Sequence, residues 1–244
     1  MLEHARQGLR TLLIAEKTIS EAEYNDWKSK LIQAESTIGA GKKRKLEKVY
    51  ALIENDFNII GSTAVQDNLQ DNVPTTLLKF KKAGICTWIL TGDKEETAVN
   101  VGFASGMIDN DTQRLYITSG NSSKLLTQLK ESKELQIQSK GKLESCIIIS
   151  GNALPIVMQN MNIKDLFLQL VKDCDSVISC RMSPKQKADL VSFMKHYNSD
   201  KVVLAVGDGA NDVSMITQSH VGVGISGMEG GQAVSASDYS INEF

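Results

Sequence analysis

The sequence KVVLAVGDGAND, residues 201–212, joins an apolar strand-like run to a glycine-rich turn that carries two carboxylates. Asp208 follows a predicted strand over residues 201–206, and Asp212 lies in the first turn of a predicted helix over residues 210–218. Carboxylates held this close repel each other unless a cation lies between them, and their hard oxygen atoms suit Mg²⁺. The stretch therefore predicts a magnesium site. The alternative, a tight turn followed by a helix cap, accounts for only part of its polar residues.

Strand-like and helix-like patterns alternate around this stretch, from residue 57 to residue 225. The predicted strands are residues 57–65, 85–90, 146–149, 177–180, 201–206 and 221–225. Such alternation is typical of a parallel sheet with helices packed on its faces. The fold class is therefore α/β, a Rossmann-like parallel sheet with helices on both faces. Residues 121–142 are predicted to form a surface helix and linker, and Asn72 with Pro74 is predicted to cap and start a helix.

The residues Thr91, Gly92 and Asp93 follow the predicted strand over residues 85–90 and precede a helix. In an open parallel sheet, ligands bind outside the carboxyl ends of the strands. A hydroxyl group and free backbone N–H groups at that place can hold a phosphoryl oxygen. The alternative interpretation is structural, because Asp93 and Glu96 also match a capping box.

The helix predicted over residues 183–197 has a strong start signal. Ser183, Pro184 and Gln186 fit a cap, a first-turn proline and a capping-box partner. Lys187 lies on the same face as the apolar residues of this helix. A lysine near a helix N-terminus opposes the helix dipole, and on a core-facing side it needs an anionic partner. We therefore expect Lys187 to neutralise a phosphoryl group; the alternative is a side chain that extends to solvent at the sheet edge.

The composition excludes several classes of protein. The 244 residues include 27 Lys and Arg against 29 Asp and Glu, a formal net charge of −2, which argues against a strongly basic nucleic-acid binder. Hydrophobic residues make up 41% of the chain, so we expect a globular protein. Its apolar runs are shorter than the roughly 20 residues that a membrane-spanning helix needs, and residues 1–10 do not resemble a secretory signal. We expect reduced, buried thiols on the cytosolic side at Cys86, Cys146, Cys174 and Cys180.

A basic cluster, residues 42–45, begins the second predicted helix. Its first interpretation is a solvated helix face. Its second is contact with anionic lipid or a nucleotide phosphate, for which four charges form a small patch. A strand over residues 9–15 and a helix that starts at Ser20 precede this cluster.

Three ordered motifs resemble the phosphorylation domain of P-type ATPases, members of the haloacid-dehalogenase-like superfamily. They are LTGDKEETAVNVG at residues 90–102, SCRMSPKQKADLV at residues 179–191 and VGDGANDVSMI at residues 206–216. Finer features are similar to the phospholipid-flippase branch, type IV: Lys94 with Glu96, Thr97 and Ala98, and Asp67 with Leu69 and Gln70. Residues 8–12 are similar to the end of the flippase nucleotide-binding domain. Residues 229–244 are similar to the segment that leads into the next transmembrane helix.

This resemblance implies roles for the candidate residues and two cofactors, ATP and Mg²⁺. The phosphoryl group is bound by Thr91 with Gly92 and Asp93, and its charge is stabilised by Lys187. Mg²⁺ is coordinated by Asp208 with Asp212, and Asn211 completes the site. The nucleotide is contacted by Arg10 and Arg181. Residues 1–65 correspond to the C-terminal piece of the nucleotide-binding domain, and residues 66–244 to most of the phosphorylation domain.

The resemblance also implies a parent protein with further parts. We expect a multi-pass membrane protein that carries this segment on its cytoplasmic face and has no nucleic-acid partner. The phospholipid substrate, the membrane and any accessory subunit are expected to engage parts outside this segment.

One departure from the family pattern outweighs the others. The family nucleophile is the first Asp of a DKTGT motif on the central strand of the sheet, and no DKTGT occurs in these 244 residues. We therefore expect a sheet with a gap between the strands that end at Leu90 and Val206, and a segment that is inactive alone. A smaller departure is Ser150-Gly151-Asn152, where flippases commonly carry an Asp-Gly pair.

Three alternatives stay open at the level of sequence. One is a P-type ATPase of another branch, a cation pump or a type V pump. Another is a soluble haloacid-dehalogenase-like phosphatase, which needs an Asp-x-Asp pair; the nearest candidate, residues 67–71, lies in a predicted helix-starting turn. The third is a non-catalytic module of the same superfamily that binds a nucleotide or phosphate.

Overall fold

The computed structural model describes residues 9–39, 41–65, 68–226 and 231–244 of the chain. It divides into two compact units, Met1–Gln66 and Asp67–Phe244. The first unit contains β1 (Arg10–Glu16), α1 (Glu21–Glu35), α2 (Lys42–Tyr50) and β2 (Asn58–Val65). The second contains α3 (Val73–Lys82), β3 (Thr87–Leu90), α4 (Glu95–Ala104), β4 (Gln113–Ile117), α5 (Ser122–Ser139), β5 (Ser145–Ser150), α6 (Leu154–Gln159), α7 (Met161–Lys172), β6 (Ser176–Cys180), α8 (Pro184–Tyr197), β7 (Leu204–Gly207), a 3₁₀ helix (Ala210–Asp212), α9 (Val213–Gln218), β8 (Val221–Ile225), α10 (Gln232–Ser235) and β9 (Tyr239–Ile241).

The first unit is an antiparallel strand pair with two helices between its strands. β1 and β2 pair in a register that runs from Arg10 opposite Val65 to Glu16 opposite Asn58. α1 starts where the sequence predicts, because the Ser20 hydroxyl accepts a hydrogen bond from the Glu23 N–H. The two helices contact each other, and the Trp27 indole N–H donates to the Val49 carbonyl over 3.0 Å.

The second unit contains two parallel sheets that do not join. One has the strand order β3-β6-β5-β4, and the other has the order β7-β8-β9. Both β3 and β7 are therefore edge strands within the described part of the chain. This is the gap expected between the strands that end at Leu90 and Val206, and the fold is α/β with helices on both faces of the larger sheet.

The larger sheet owes its stability to two strands that are buried along their whole length. Every residue of β5 and β6 is buried, which follows from their runs of isoleucine, valine and cysteine. On one face Ile147 and Ile149 pack with Phe167 of α7 and Leu190 of α8. On the other face Ile148 packs in a cluster with residues of α4.

Several local predictions are wrong. β4, α6 and β9 were not predicted. The helix predicted within residues 121–142 is confirmed as α5 (Ser122–Ser139), but it is not only a surface helix, because its Leu125 and Leu129 are fully buried. Asn72 does not cap α3, because its backbone is left-handed at φ 69° and its side chain makes no capping hydrogen bond.

The prediction of buried thiols holds for only part of the set. Cys146 and Cys180 are buried, Cys174 is half-buried and Cys86 is exposed. Burial raises the pKa of the Cys146 and Cys180 thiols to about 11 and raises the pKa of Cys174 as well. These three thiols therefore stay protonated and unreactive at neutral pH.

Candidate active site

The loop that joins β3 to α4 holds the first group of candidate residues. The Thr91 hydroxyl donates to the Asp93 carboxylate over 2.9 Å and accepts a hydrogen bond from the Asp93 backbone N–H over 3.0 Å. The cap position of α4 is Lys94, which provides no side-chain cap. The capping-box prediction for Asp93 is therefore wrong. A capping box at Asp93 requires the helix to begin at Lys94, but it begins at Glu95. The Asp93 carboxylate accepts a hydrogen bond from the Thr91 hydroxyl.

This loop is attached to the segment that follows β6. The Thr91 N–H donates to the Ser179 carbonyl, the Met182 N–H donates to the Thr91 carbonyl, and the Arg181 N–H donates to the Asp93 carbonyl. Arg181 adopts a left-handed conformation with φ 53°, and its side chain is exposed. The backbone of Thr91 and Asp93 is therefore fixed by its neighbour strand.

The start of α8 forms as predicted and has an additional contact. The Ser183 hydroxyl accepts from the Gln186 N–H, and the Gln186 side chain accepts from the Ser183 N–H. The Gln186 amide also donates to the Gly151 carbonyl over 2.6 Å. A Cβ atom at Gly151 would lie 2.2 Å from the Arg181 carbonyl oxygen. The loop at Gly151 thus packs against α8 and Arg181, which sequence reasoning missed because the capping box alone accounts for Gln186.

Lys187 and Asp212 form the central ion pair of the candidate site. The Lys187 Nζ atom lies 2.8 Å from Asp212 Oδ1, and each side chain is only 12% exposed. Asp212 is the anionic partner that a lysine on the core-facing side of a helix requires. The pair connects the N-terminal turn of α8 to the turn after β7.

Gly207 provides the space that Asp212 occupies. A Cβ atom at Gly207 would lie 2.4 Å from Asp212 Cβ and 2.8 Å from its Cγ, closer than side chains approach each other. Gly207 is the last residue of β7, so the Asp212 carboxylate packs onto the carboxyl end of that strand. The glycine is required here by close approach.

Asp208 and Asn211 are exposed on the same turn. Within the described ranges neither side chain makes a hydrogen bond or an ion pair, so both are accessible to a ligand. The described residues contain no group of three or more His, Cys, Asp and Glu side chains that could hold a metal ion. Magnesium commonly binds one or two carboxylates and completes its shell with water and phosphate oxygens. Asp208 and Asp212 therefore fit as a partial donor set for Mg²⁺.

The candidate residues of the second unit form two groups, one on each sheet. Thr91, Gly92, Asp93 and Arg181 follow β3 and β6, while Asp208, Asn211 and Asp212 follow β7. α8 contacts both regions, because its Val191 packs with Ala205 of β7 and Met215 of α9, and Leu90 of β3 joins that cluster. Lys187, on this helix, pairs with the second group.

Other residues named from the sequence lie outside the second unit or outside the described part. Arg10 belongs to β1 of the first unit, and the placement of its side chain lies outside what the structure describes. Gly8, Asp67 and Glu229 also lie outside the described residues.

Comparison with known proteins identifies the family. No protein-family model matches the chain, but individual proteins do. Probable phospholipid-transporting ATPase 5 of Arabidopsis thaliana is 41% identical over 100% of this chain and 21% of its own length. The chain belongs to the type IV P-type ATPase family. Phospholipid-transporting ATPase DRS2 of Saccharomyces cerevisiae is 40% identical over 99% of the chain and 18% of its own length, and the human phospholipid-transporting ATPase ID is 38% identical over 99% and 22%.

The family assignment has two consequences for the alternatives. The chain spans about one fifth of the length of the curated type IV relatives that it matches. Membership of the type IV branch excludes three of the alternatives: a cation pump, a type V pump and a soluble phosphatase. None of the helices that the structure describes is long and apolar enough to cross a membrane.

Proposed function

We propose that this segment supplies the phosphoryl-binding and magnesium-binding residues of an ATP-driven phospholipid-transporting ATPase. The observation that carries the proposal is the Lys187–Asp212 pair, which lies at the carboxyl end of β7 where parallel sheets bind their ligands. The gap between β3 and β7 supports it, because the family nucleophile belongs to a strand in that position.

Each candidate residue can then be given a task. Lys187, held by Asp212, presents a fixed positive charge that stabilises negative charge developing on a phosphoryl group. The Thr91 hydroxyl, now donating to Asp93, can donate to a phosphoryl oxygen instead, and the exposed Asn211 amide can do the same. Asp208 and Asp212 would hold Mg²⁺, which supplies further positive charge when it is bound. Positioning and electrostatics of this kind account for most of the catalysis of phosphoryl transfer.

The division of labour within the parent protein follows from the same proposal. The Met1–Gln66 unit is the C-terminal piece of the nucleotide-binding domain, and Asp67–Phe244 is most of the phosphorylation domain; the division of the structure at these residues supports this. Arg10 and Arg181 contact ATP. The segment lies on the cytoplasmic face of a multi-pass parent, whose other parts bind the phospholipid and any accessory subunit.

The first test uses the 244-residue chain with ATP and Mg²⁺. We expect no acyl-phosphate, because the nucleophilic Asp of DKTGT is not in this sequence. Stoichiometric acid-stable phosphoenzyme on the purified chain would contradict the proposal.

The second test places the segment in a whole phospholipid-transporting ATPase. The matching part of yeast DRS2 is replaced by this chain, and phosphoenzyme turnover is measured for the chimera and for its Lys187→Met and Lys185→Met variants. Loss of one preorganised electrostatic group lowers turnover about 10²–10³-fold, so we expect that loss for Lys187→Met. Lys185 is exposed and makes no ion pair within the described residues, so Lys185→Met is the matched control. Equal activity of the two variants would refute the role of Lys187.

A further inference from the structure

A concentration of positive charge lies at the start of α2 in the first unit. Five cationic residues fall within the first seven positions of α2, and the structure exposes all of them: Lys42, Lys43, Arg44, Lys45 and Lys48. The whole chain has a formal net charge of −2, so this cluster is a local feature and not a property of the composition. We call these five residues, together with Ile38 in the preceding loop, the basic tip.

The basic tip lacks the internal partners that a purely structural helix start would have. None of its five cations forms an ion pair within the described part of the chain, and only Lys45 makes a side-chain hydrogen bond, to Thr37. α2 has no acidic residue in its first turn and no side-chain cap, whereas α1 has Glu21, Glu23 and the Ser20 cap. Positive charges near a helix N-terminus oppose its dipole. An external anion would relieve this repulsion.

An exposed apolar side chain lies beside these cations. Ile38 is 98% exposed and lies in the loop that leads into α2. Next to this loop is a shallow depression whose lining includes one acidic residue, Glu47, beside Gly39, Lys42, Lys43, Leu46 and Tyr50. A soluble anion gains nothing from an exposed isoleucine. A lipid surface can accept that side chain at the boundary between its headgroups and acyl chains.

We propose that the basic tip docks on an anionic phospholipid surface. Its cations contact the headgroup phosphates and carboxylates, and Ile38 enters the interface. The occupant follows from charge complementarity, because clusters of four to eight Lys and Arg residues on an amphipathic helix are typical of binding to anionic lipid. The proposal concerns the first unit and is independent of the phosphoryl-transfer role of the second.

The test is flotation of the 244-residue chain with vesicles of phosphatidylcholine alone or mixed with phosphatidylserine. We expect binding only to the mixed vesicles and weaker binding as salt rises. Each cation near such a surface contributes about a fivefold gain in affinity. The variant Lys42→Gln/Lys43→Gln/Arg44→Gln/Lys45→Gln should therefore lose on the order of several hundredfold.

A control of equal charge change is available in the second unit. Lys79, Lys124, Lys130 and Lys172 are exposed and form no ion pair within the described residues, so their fourfold change to Gln should leave binding close to that of the native chain. Ile38→Ser should weaken binding about tenfold while its salt dependence is unchanged. Circular dichroism melting confirms that each variant is folded.

Three results would overturn the proposal. One is equal binding to the neutral and anionic vesicles. Another is full binding by the variant that lacks four cations of the basic tip. The third is binding of inorganic phosphate, ATP or single-stranded DNA through the basic tip without binding to anionic vesicles.

Discussion

The two sheets of the second unit are covered to very different extents. In the four-stranded sheet, β5 and β6 are buried at every position. In the three-stranded sheet, β7 and β8 alternate between buried and more exposed residues, and all three residues of β9 are exposed. Stability on folding scales with the apolar area removed from water. The larger sheet is therefore the stable part of this unit, and the smaller sheet depends on fewer contacts.

One of the two groups of candidate residues lies on the less stable of these two parts. Asp208, Asn211 and Asp212 all follow β7, whose outer edge has no strand partner within the described residues. α8 joins the two regions, since Leu190 lies in the core of the larger sheet and Val191 lies in the cluster at the smaller one. The comparison shows that the chemical groups lie beside the edge strands β3 and β7, and that α8 connects them to the stable core.

The largest expected effect is on the core of the four-stranded sheet. Phe167 is fully buried and lies 6.3 Å from the ring of Phe193, centroid to centroid. Phe167→Ala should lower the free energy of unfolding by about 3–5 kcal/mol, because it leaves a cavity. Tyr239→Ala, at a residue 66% exposed in β9, should change it by less than about 0.5 kcal/mol. Urea unfolding measures both, and equal losses would show that the two sheets do not differ in stability.

The next largest effect is expected at the end of β7, where Gly207 packs against Asp212 of the Lys187–Asp212 ion pair. Gly207→Ala places a Cβ atom 2.4 Å from Asp212 Cβ, so the Asp212 side chain must move away from Lys187. We expect a loss of about 1–3 kcal/mol in the free energy of unfolding. Gly61→Ala is the matched control, because Gly61 also lies in a strand and its added Cβ would contact nothing within 4 Å. A native-like Gly207→Ala variant would mean that Asp212 does not pack on β7 as described.

The smallest effect is a pH dependence in the turn before β4. Hydrogen bonds from the Thr112 hydroxyl and N–H, and from the Asp111 N–H, lower the pKa of the Asp109 carboxyl. A carboxyl whose folded pKa is lowered stabilises the fold above its unfolded pKa of about 3.9. That stability is lost as the pH falls through the folded pKa. Asp109→Asn should therefore be less stable than the native chain at neutral pH, with a difference that shrinks in acid.

Asp111→Asn is the control for this pH experiment. The Asp111 side chain makes no hydrogen bond within the residues that the structure describes, although its backbone N–H donates to Asp109. Thermal unfolding followed across the acidic range should show little change for this variant. A pH-independent loss for Asp109→Asn would mean that the turn is stabilised by shape and not by charge.

Much of the fold is predictable from sequence where apolar runs are long. The strands at β5, β6 and β8 and the capping box at Ser183 have strong local patterns, and the structure contains each of them. β4 and β9 were missed because their residues, QRLYI and YSI, lie among polar neighbours and are short. Such strands form because they pair with a neighbouring strand, and the local sequence does not show which segments will pair.

The candidate site was predictable in its residue types but not in its pairings. The need of Lys187 for an anion follows from its helix face, but the choice of Asp212 depends on how α8 packs against the 3₁₀ helix and α9 that follow β7. Asp93 was expected to cap a helix and instead accepts a hydrogen bond from Thr91. The contact between Gln186 and Gly151 could not be read from sequence, because it joins residues 35 positions apart.

The most direct test of the gap between the sheets is hydrogen exchange on the 244-residue chain, alone and with a peptide that carries the DKTGT strand. The chain alone should show slow exchange in β5 and β6 and faster exchange at the outer edges of β3 and β7. Addition of the peptide should slow exchange in β3 and β7 and leave β4 and β9 unchanged. Full protection of both β3 and β7 in the monomer without peptide would contradict the account, because the two edges would then already be paired.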